Sequence, residues 1–379
     1  IKTKSGKGMK KQLDFSSTFN ISNQARYYDL LNAQEFLKGI QDRGGDPVAQ
    51  NFQGGDTDWQ KEITRSAFSQ KYDLGFSNAY DGGTYRVSLS YDNQQGVIKE
   101  SGMERITARL NWNGNFLNDK LHTSVQGTLS QIDDEYAPIT DNAGFEGDLL
   151  GGAYMANPTW KRDPEIQPSN TNVNPLSLLA FHQDRSTTKR ALVNLSADYD
   201  ILSSLNFKVN LGFDRSTSDR DQAFGRKLNI AQAFNNGRAS YGTLDTESDL
   251  LEAFFNYKKK LGNSDLNVVA GYSYQKFERS GYNGVGWGFT TDDLSKMGRD
   301  LRASASNIRS GITRGYQGFG YDATDFFITR LFPEPRVLDL TNPVKPVSLV
   351  KSVSEDTFAQ VDELQSFFGR VNYTIADKY

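Results

Sequence analysis

The feature that most constrains this chain is a regular alternation of apolar and polar residues in short stretches. In one stretch the apolar residues Tyr85, Val87, Leu89 and Tyr91 alternate with Arg86, Ser88, Ser90 and Asp92. Alternation of period two predicts β-strands with one apolar and one polar face. About ten such stretches occur, at 13–21, 72–80, 85–91, 106–112, 121–129, 191–199, 205–213, 251–257, 266–274 and 367–375. Strands of roughly ten residues have the length needed to cross a bilayer at a tilt.

The connections between these stretches tend to alternate in length. Short turns are predicted at 81–83, 115–120, 200–204 and 262–264. Long segments are predicted at 22–67, 134–186, 218–246 and 279–362, and only the loop at 96–102 departs from the rule by being brief. Short turns at one rim and long loops at the other are typical of outer-membrane barrels. The sequence therefore predicts an all-β fold, an antiparallel transmembrane β-barrel of which this chain supplies about ten strands, with long extracellular loops. A soluble antiparallel sandwich or propeller, which also alternates, is the alternative.

The alternation also assigns faces to individual residues. Charged residues in the middle of the polar faces favour a wet lumen, since a soluble core would not accept them. We expect the residues Tyr85, Val87, Leu89, Ile106, Leu110, Phe207, Val209 and Leu211 to face lipid. The lumen-facing set is Arg86, Arg109, Lys208 and Asp214. Aromatic residues near strand ends are interpreted as the interfacial girdle: Tyr80, Tyr91, Trp112 and Tyr199.

Composition excludes several classes of function. The chain has 379 residues, a net charge of −3 and a mean hydropathy of −0.62. This charge gives no basic surface for nucleic acid. The absence of cysteine excludes disulfides, thiol nucleophiles and thiolate metal sites. The two histidines, His122 and His182, lie far apart in the sequence and are interpreted as polar strand or loop residues. We predict no cofactor and no metal site.

The long loops contain local features of their own. Helical spacing predicts a helix over 30–40 with Asp29 as its N-cap, and a second short helix over 145–155. The segment 281–320 is rich in glycine, serine and aromatic residues, and prolines cluster in 332–350. Trp59 is interpreted as an anchor of the first long loop or as part of the girdle. The candidate residues that face substrate or a partner are the loop aromatics Trp160, Trp287, Phe289 and Tyr316, with packing as the alternative for each.

No arrangement of residues in the sequence predicts catalysis. The acidic pairs Asp133–Asp134 and Asp292–Asp293 are interpreted as solvated surface residues. The glycines of 281–288 lack the strand–glycine–helix context of a nucleotide-binding loop. We predict that the protein is not an enzyme.

Several segments carry a resemblance to a known family. They are TDWQKEITRSAFSQKYDLGFS at 57–77, the sequence at 85–111, NPLSLL at 174–179, the sequence at 187–214 and FFGRVNYTIADKY at 367–379. Together they resemble the early barrel of SusC/RagA-like TonB-dependent transporters. Residues 1–8, IKTKSGKG, resemble the end of that family's plug domain and its exit into the barrel. The resemblance therefore implies two parts: residues 1–8 from the plug and residues 9–379 from the N-terminal part of the barrel.

The resemblance implies a plugged barrel of about 22 strands in the outer membrane of a Gram-negative cell. Such proteins import glycans, oligosaccharides or peptides with a SusD-like surface lipoprotein. The TonB complex, which powers import, would act through an N-terminal region beyond this chain. Two alternatives remain open: a siderophore or cobalamin receptor, and a passive porin or adhesin barrel. About ten strands do not close a barrel of that diameter, so we expect open edges.

Overall fold

A computed structural model describes residues 11–50, 52–140, 147–167, 173–233, 236–310, 316–322, 326–331 and 349–375. These residues form one antiparallel sheet of twelve strands in the order β1-β2-β3-β4-β5-β6-β7-β8-β9-β12-β10-β11. The strands are β1 Gln12–Ser22, β2 Ala67–Tyr80, β3 Gly83–Gln95, β4 Gly102–Phe116, β5 Leu121–Glu135, β6 His182–Leu202, β7 Leu205–Phe224, β8 Arg238–Leu261, β9 Ser264–Trp287, β10 Tyr316–Tyr321, β11 Phe326–Leu331 and β12 Ser352–Thr374. The helices are α1 Ala33–Gln41, α2 Trp59–Ile63, α3 Leu149–Met155, α4 Pro175–Ala180 and α5 Leu294–Ser310. No helix in these ranges is long and apolar enough to cross a membrane.

The predicted strands and their connectivity are confirmed. Each of the ten predicted stretches lies in a strand, and β1 to β9 pair with their neighbours in sequence. Because adjacent strands are antiparallel, the four predicted short turns lie at one end of the sheet and the long connections at the other. The hairpin of β10 and β11 was not predicted. It lies inside the last long connection and pairs with the first residues of β12. The predicted plug segment, 1–8, lies outside the described residues.

The predicted strand lengths are wrong in the second half of the chain. Strands β6 to β9 and β12 have 21, 20, 24, 24 and 23 residues. Their outer halves occupy parts of the predicted loops 134–186, 218–246 and 279–362. The reason is that ladder hydrogen bonds do not require apolar side chains. The strands continue where the apolar alternation, on which the prediction rested, has ended.

The register of the paired strands confirms which of the predicted residues lie together on each face of the sheet. Directly paired residues share a face, and one cross-strand row contains Phe76, Val87, Leu110, Gly127, Val193 and Phe213. The adjacent row contains Ser77, Arg86, Asn111, Gln126 and Asn194. We call the first side the apolar face and the second the polar face. All eight residues predicted to face lipid lie on the apolar face. The four predicted for the lumen lie on the polar face, where Arg86 pairs with Asp14 at 2.8 Å.

The apolar face changes character part-way along the longer strands. On β7 it is apolar from Leu205 to Phe213, a stretch that matches a bilayer crossing. Beyond this stretch the same face carries Arg215, whose guanidinium lies 2.8 Å from Asp249 and 3.2 Å from Glu247. Charged side chains are costly against hydrocarbon. The apolar stretch, here called the membrane band, therefore ends near Phe213, and the outer halves of β6 to β9 and β12 extend beyond it.

The predicted helices are present, but with different boundaries. α1 begins at Ala33, and its N-cap is Asn32 rather than Asp29. The Asn32 side chain accepts from the Glu35 amide, and the Glu35 carboxylate accepts from the Asn32 amide, both at 3.0 Å. This reciprocal pair fixes the start of the helix. α3 begins at Leu149, after the N-cap Asp148, and residues 145–146 of the predicted helix lie outside the described residues. α5 lies within the stretch described as rich in glycine and serine.

Buried side chains concentrate beyond the membrane band, in two clusters. The first outer cluster joins α2, α3, α4 and the β7–β8 connection around Trp59, Leu149, Trp160, Leu178 and Ile230. It reaches the polar face of the sheet through Phe224. The second outer cluster packs α5 against the apolar face, through Met297, Leu301, Ala305, Ala239 and Val353. The projecting strands are thus supported on both faces by folded connections.

Candidate functional site

A groove crosses the polar face at the outer end of β7, β8, β9 and β12. Two neighbouring cross-strand rows line it: Gln222, Ser240, Val285 and Ser354, then Arg220, Gly242, Asn283 and Asp356. Its volume is about 460 Å³. Amide, hydroxyl and charged groups dominate this lining. Such a surface offers hydrogen bonds to a polar ligand from four adjacent strands.

Arg220 is held in place at one side of the groove. Its guanidinium donates to both carboxylate oxygens of Asp184, at 2.7 and 2.6 Å, and lies 4.6 Å from the ring centroid of Tyr136. Asp184 is buried and also accepts from Gln222 at 3.0 Å. The hydrogen bond to Asp184 raises the pKa of Arg220. A second cavity of about 330 Å³ lies against the same arginine, lined by Tyr136, Pro138 and Ile139. Arg220 therefore stands between two adjoining cavities with its orientation fixed.

The floor of the groove requires close packing of the strands. A Cβ atom on Gly284 would lie 2.3 Å from the ring of Tyr241. Tyr241 donates a hydrogen bond to Glu355, and Glu355 also pairs with Arg309 of α5 at 3.0 Å. Burial raises the pKa of Tyr241, so the phenol remains a hydrogen-bond donor. The second outer cluster therefore fixes, from the apolar face, the strands whose polar face forms the groove.

His182 lies at the junction of β6 with the first outer cluster. It is buried, and its ring centroid lies 4.8 Å from that of Phe224. Burial lowers the pKa of His182 to about 4. The sequence suggested an ordinary polar residue here. In the structure it is a neutral side chain inside a core, so protonation would disfavour the packed state.

The four aromatic residues predicted to face a ligand or partner do not converge on one site. Trp160 is 1% exposed in the first outer cluster and Phe289 is 2% exposed in the second, so both pack inside cores and present no ligand surface. Their position among the apolar residues of folded connections explains the burial. Trp287 is half-buried on the polar face beside the groove, 6.0 Å from the guanidinium carbon of Arg238. Tyr316 begins β10, and its side chain lies outside the described residues.

Trp59 belongs to the first outer cluster and not to the girdle. Its indole NH donates to the carbonyl of Asn157 at 3.0 Å, and its ring packs edge-on against Trp160 with centroids 6.4 Å apart. The prediction that Trp59 anchors the first long loop is therefore confirmed by its contacts. The groove residue Arg220 and its partners Asp184 and Tyr136 were not identified from the sequence. The five residues from His182 to Ser186 are all polar, so no apolar alternation marked this part of β6 as a strand.

A different part of the outer rim exposes apolar side chains. The first long connection presents Tyr28, Leu30 and Leu31, which adjoin Tyr154 and Met155 of α3. Together they line a groove of about 630 Å³, and the rings of Tyr28 and Tyr154 meet edge-on at 5.0 Å. We call this surface the rim groove. Within the described ranges, no group of three or more histidine or acidic side chains could hold a metal ion.

Comparison with known proteins gives this geometry a family context. No protein-family model matches the chain. It is 24% identical over 328 residues to TonB-dependent receptor SusC of Bacteroides thetaiotaomicron, which covers 77% of the chain and 31% of SusC. It is 27% identical over 388 residues to TonB-dependent receptor P3 of Formosa agariphila, which covers 100% of the chain and 34% of P3. The chain spans about a third of the length of these curated relatives.

Solved structures show the same fold over nearly the whole chain. The RagAB peptide importer in its open-open state superposes with a TM-score of 0.69 at 16% identity, over 99% of this chain and 41% of that chain. The closed-closed state superposes with a TM-score of 0.67 at 16% identity, over 98% and 41%. The chain is SusC/RagA-like and has the fold of a TonB-dependent receptor barrel.

The SusC/RagA-like fold gives each face of the sheet its environment. The strands are those of an outer-membrane barrel, so the apolar face of the membrane band lies against lipid and the polar face lines the lumen. The outer halves of the strands extend above the membrane band on the side of the long connections. Among the described residues, β1 pairs only with β2, and 357–374 of β12 pair only with β9. The sheet of this SusC/RagA-like chain is therefore open at both edges.

Proposed function

We propose that this chain forms part of the wall and outer mouth of a TonB-dependent importer that admits an oligomeric nutrient, a glycan or a peptide, to the barrel lumen. The observation that supports the proposal is the groove. It lies on the lumen-facing side, at the extracellular end, and presents hydrogen-bonding groups from four adjacent strands. A large polar ligand entering from outside would meet this surface before it reached the membrane band.

The sequence left two other transport functions open. A siderophore or cobalamin receptor shares the superfamily fold, and a passive porin or adhesin shares the barrel. Both are less well supported, because the curated relatives include SusC itself and the overlap with the RagAB importer covers nearly the whole chain. The relatives are receptors and importers, and we propose that the receptor containing this chain carries out no catalytic chemistry.

Filling the groove tests the import function. In the full-length receptor, Gly242→Trp places an indole in the middle of the groove, where the site of a Cβ is 3.3 Å from the Asn283 amide oxygen. We expect uptake of the cognate nutrient to fall at least about tenfold, because the ligand path is obstructed. Gly369→Trp is the matched control, since this glycine lies on the lipid-facing side and has space for a side chain. Both variants should insert as heat-modifiable barrels. Normal uptake by correctly inserted Gly242→Trp receptor would refute the proposed path.

The resemblance also implies a SusD-like lipoprotein, and we propose that it docks on the outer rim. The segments 134–186 and 279–362 were predicted to form this surface. Within the first of them Tyr154 and Met155 are exposed, and the rim groove joins them to Leu31 of the first connection. Exposed apolar patches of this kind mark protein–protein contacts. The second segment contains parts of β9 and β12, the β10–β11 hairpin and α5, which packs on the sheet. Deleting the whole segment would therefore damage the barrel wall.

Point substitutions therefore test docking better than deletion. Leu31→Asp and Met155→Asp should each abolish or strongly reduce co-purification with the lipoprotein. Val48→Asp is the control, because Val48 is also exposed and lies in the same connection but outside the rim groove. Undiminished co-purification of both rim-groove variants would show that the lipoprotein docks elsewhere.

A further inference from the structure

The two faces of the projecting strands carry opposite charge. We compared the four strands β7, β8, β9 and β12 between the row of Trp287 and the row of Arg279. On the polar face the charged residues in this stretch are Arg220, Arg238, Arg279 and Asp356. On the other face of the same stretch the charged residues are Asp219, Asp221, Asp245 and Glu355. On these four strands the polar face thus has an excess of positive charge in a chain whose net charge is −3, and Asp184 of β6 on the same face neutralises Arg220.

Each of the three arginines lies over an aromatic ring on the lumen-facing side. The guanidinium carbon of Arg220 is 4.6 Å from the ring centroid of Tyr136, and that of Arg238 is 6.0 Å from Trp287. Arg279 lies 5.7 Å from the ring centroid of Phe358. An aromatic face supports a guanidinium without occupying its NH groups along the edge. In Arg238 and Arg279 these NH groups remain available to an anion, whereas Arg220 donates its NH groups to Asp184.

Two of these arginines have no acidic partner among the described residues. Arg220 is neutralised by Asp184, but neither Arg238 nor Arg279 forms an ion pair within the described ranges. Arg238 is half-buried, and burial without an offsetting carboxylate lowers its pKa. Leaving the half-buried guanidinium of Arg238 without a counter-ion costs free energy, which a bound anion would recover, whereas Arg279 is exposed to solvent.

The two arginines lie beyond the groove, on either side of it along the strands: Arg238 is one row past Ser240, and Arg279 is two rows past Asn283. Arg238 pairs across the ladder with Trp287, and Arg279 lies eight residues before Trp287 on β9. Eight residues of strand span roughly 26 Å. A ligand that reaches both guanidinium groups must therefore be an oligomer with anionic groups at separated positions. A small anion would satisfy only one of them.

The lining of the groove favours a saccharide over a peptide. Its side chains are mainly the hydroxyls of Ser240 and Ser354 and the amides of Gln222 and Asn283, which suit sugar hydroxyls. Within the groove Val285 is the only large aliphatic residue, while Leu244 and Phe358 lie on the same face between the groove and Arg279. In the two rows of the groove β12 pairs with β10 as well as with β9, and β7, β8 and β9 are also paired on both sides, so a peptide cannot add there as a further strand.

We infer that the groove selects a carboxylate-bearing oligosaccharide, such as a uronate oligomer, together with Arg238 and Arg279, which flank it along the strands. This inference rests on the proposed import function and specifies its substrate class. A carboxylate accepts two parallel hydrogen bonds from a guanidinium, which gives both attraction and orientation. The sugar units between the two contacts would bind the neutral side chains of the groove.

The test measures binding to the purified full-length receptor by calorimetry. The probes are oligogalacturonate long enough to span the groove, a malto-oligosaccharide of equal length, and an oligoglutamate. We expect the uronate to bind most tightly, with an affinity that falls as salt is raised. Arg238→Gln and Arg279→Gln should each weaken uronate binding about tenfold or more, since each removes a charged hydrogen-bonding pair.

A matched variant controls for the change in net charge. Arg299→Gln removes one positive charge from α5, on the opposite side of the sheet, where the side chain is exposed. It should leave uronate binding unchanged. Equal affinity for the neutral saccharide, or uronate binding unaffected by both groove variants, would overturn the inference. Preferential, arginine-dependent binding of oligoglutamate would overturn the assignment to a saccharide. In either case a blocked uptake in Gly242→Trp would still uphold the import function, so the two proposals fail separately.

Discussion

The membrane band and the outer rim place their large apolar side chains in opposite ways. In the band these side chains are exposed on the sheet surface, as for Leu13 at 70% and Phe367 at 85%. At the rim they are buried, as for Trp160 at 1% and Leu301 at 0%. The band is thus built for a hydrocarbon solvent and held by its hydrogen-bonded ladder. The rim is built like a water-soluble domain and held by burial.

This difference means that the two regions should respond independently to mutation. A change in an outer cluster removes packing on which the strands below do not depend. A change on the apolar face of the band alters the interaction with lipid and leaves the clusters intact. The groove lies where the two regions meet, because its strands continue from the band and its supports come from the clusters.

The largest expected effect is the loss of a buried aromatic side chain at the rim. Trp160→Ala removes an indole that packs against Trp59 inside the first outer cluster. We expect the free energy of unfolding of the cluster to fall by about 3–5 kcal/mol. Hydrogen exchange and limited proteolysis should show opening near α3 and α4, while the barrel stays heat-modifiable. Tyr28→Ala, at an exposed rim aromatic, should have little effect. Loss of barrel insertion in Trp160→Ala would show that the two regions fold as one unit.

The second effect is specific to the membrane band. Val209 lies midway along the apolar stretch of β7, opposite Ala197 and Ala253. Val209→Arg should lower the free energy of unfolding of the full-length receptor by roughly 2–4 kcal/mol, measured by urea unfolding in bilayers. Asn210→Arg is the neighbouring control on the polar face, where Glu252, 3.1 Å from the Asn210 amide, can pair with the new charge. Equal destabilisation by both variants would contradict the assignment of faces.

The third effect is a pH dependence of stability that is confined to the rim. The unfolded chain protonates His182 near pH 6.5, whereas burial lowers the folded pKa to about 4. Because the folded pKa is lower, the unfolded state binds the proton at a higher pH than the folded state does. The free energy of unfolding therefore falls as pH drops from about 6.5 to about 4. The loss should approach roughly 3 kcal/mol. His182→Phe should abolish this pH dependence of proteolysis at the first outer cluster, and His122→Gln should retain it. An unchanged pH profile in His182→Phe would assign the dependence to other groups.

The band was more predictable from the sequence than the rim, for a physical reason. Alternation in a stretch such as 205–213 reports directly on a strand with lipid on one side and water on the other. Beyond Phe213 both faces of β7 meet protein or water, and the alternation of Arg215, Asp219 and Asp221 with polar residues carries no strand signal. The outer halves of the strands were therefore interpreted as loop.

The groove was hidden for a related reason. Arg220 gains its role from Asp184 on a neighbouring strand and from Tyr136 beyond β5, and the contacts depend on register. Loop aromatics such as Trp160 suggested a ligand surface, because sequence does not reveal which aromatic residues a folded connection buries. Of the three candidates whose side chains the structure describes, Trp287 is the one that lies beside the groove.

The smallest expected effect concerns the helix whose start was placed three residues too early. Asn32, not Asp29, accepts the hydrogen bond from the third residue of α1, and Glu35 returns one to the Asn32 amide. Asn32→Ala should destabilise α1 by about 1 kcal/mol, because an amide at the helix N-terminus loses its acceptor. Asp29→Ala is the matched control and should leave the helix unchanged. Amide exchange across Ala33–Gln41 measures both. Since α1 lies at the exposed edge of the rim, neither variant should alter exchange in β6 to β9; a change there would show that the rim and the band are coupled more tightly than their separate packing implies.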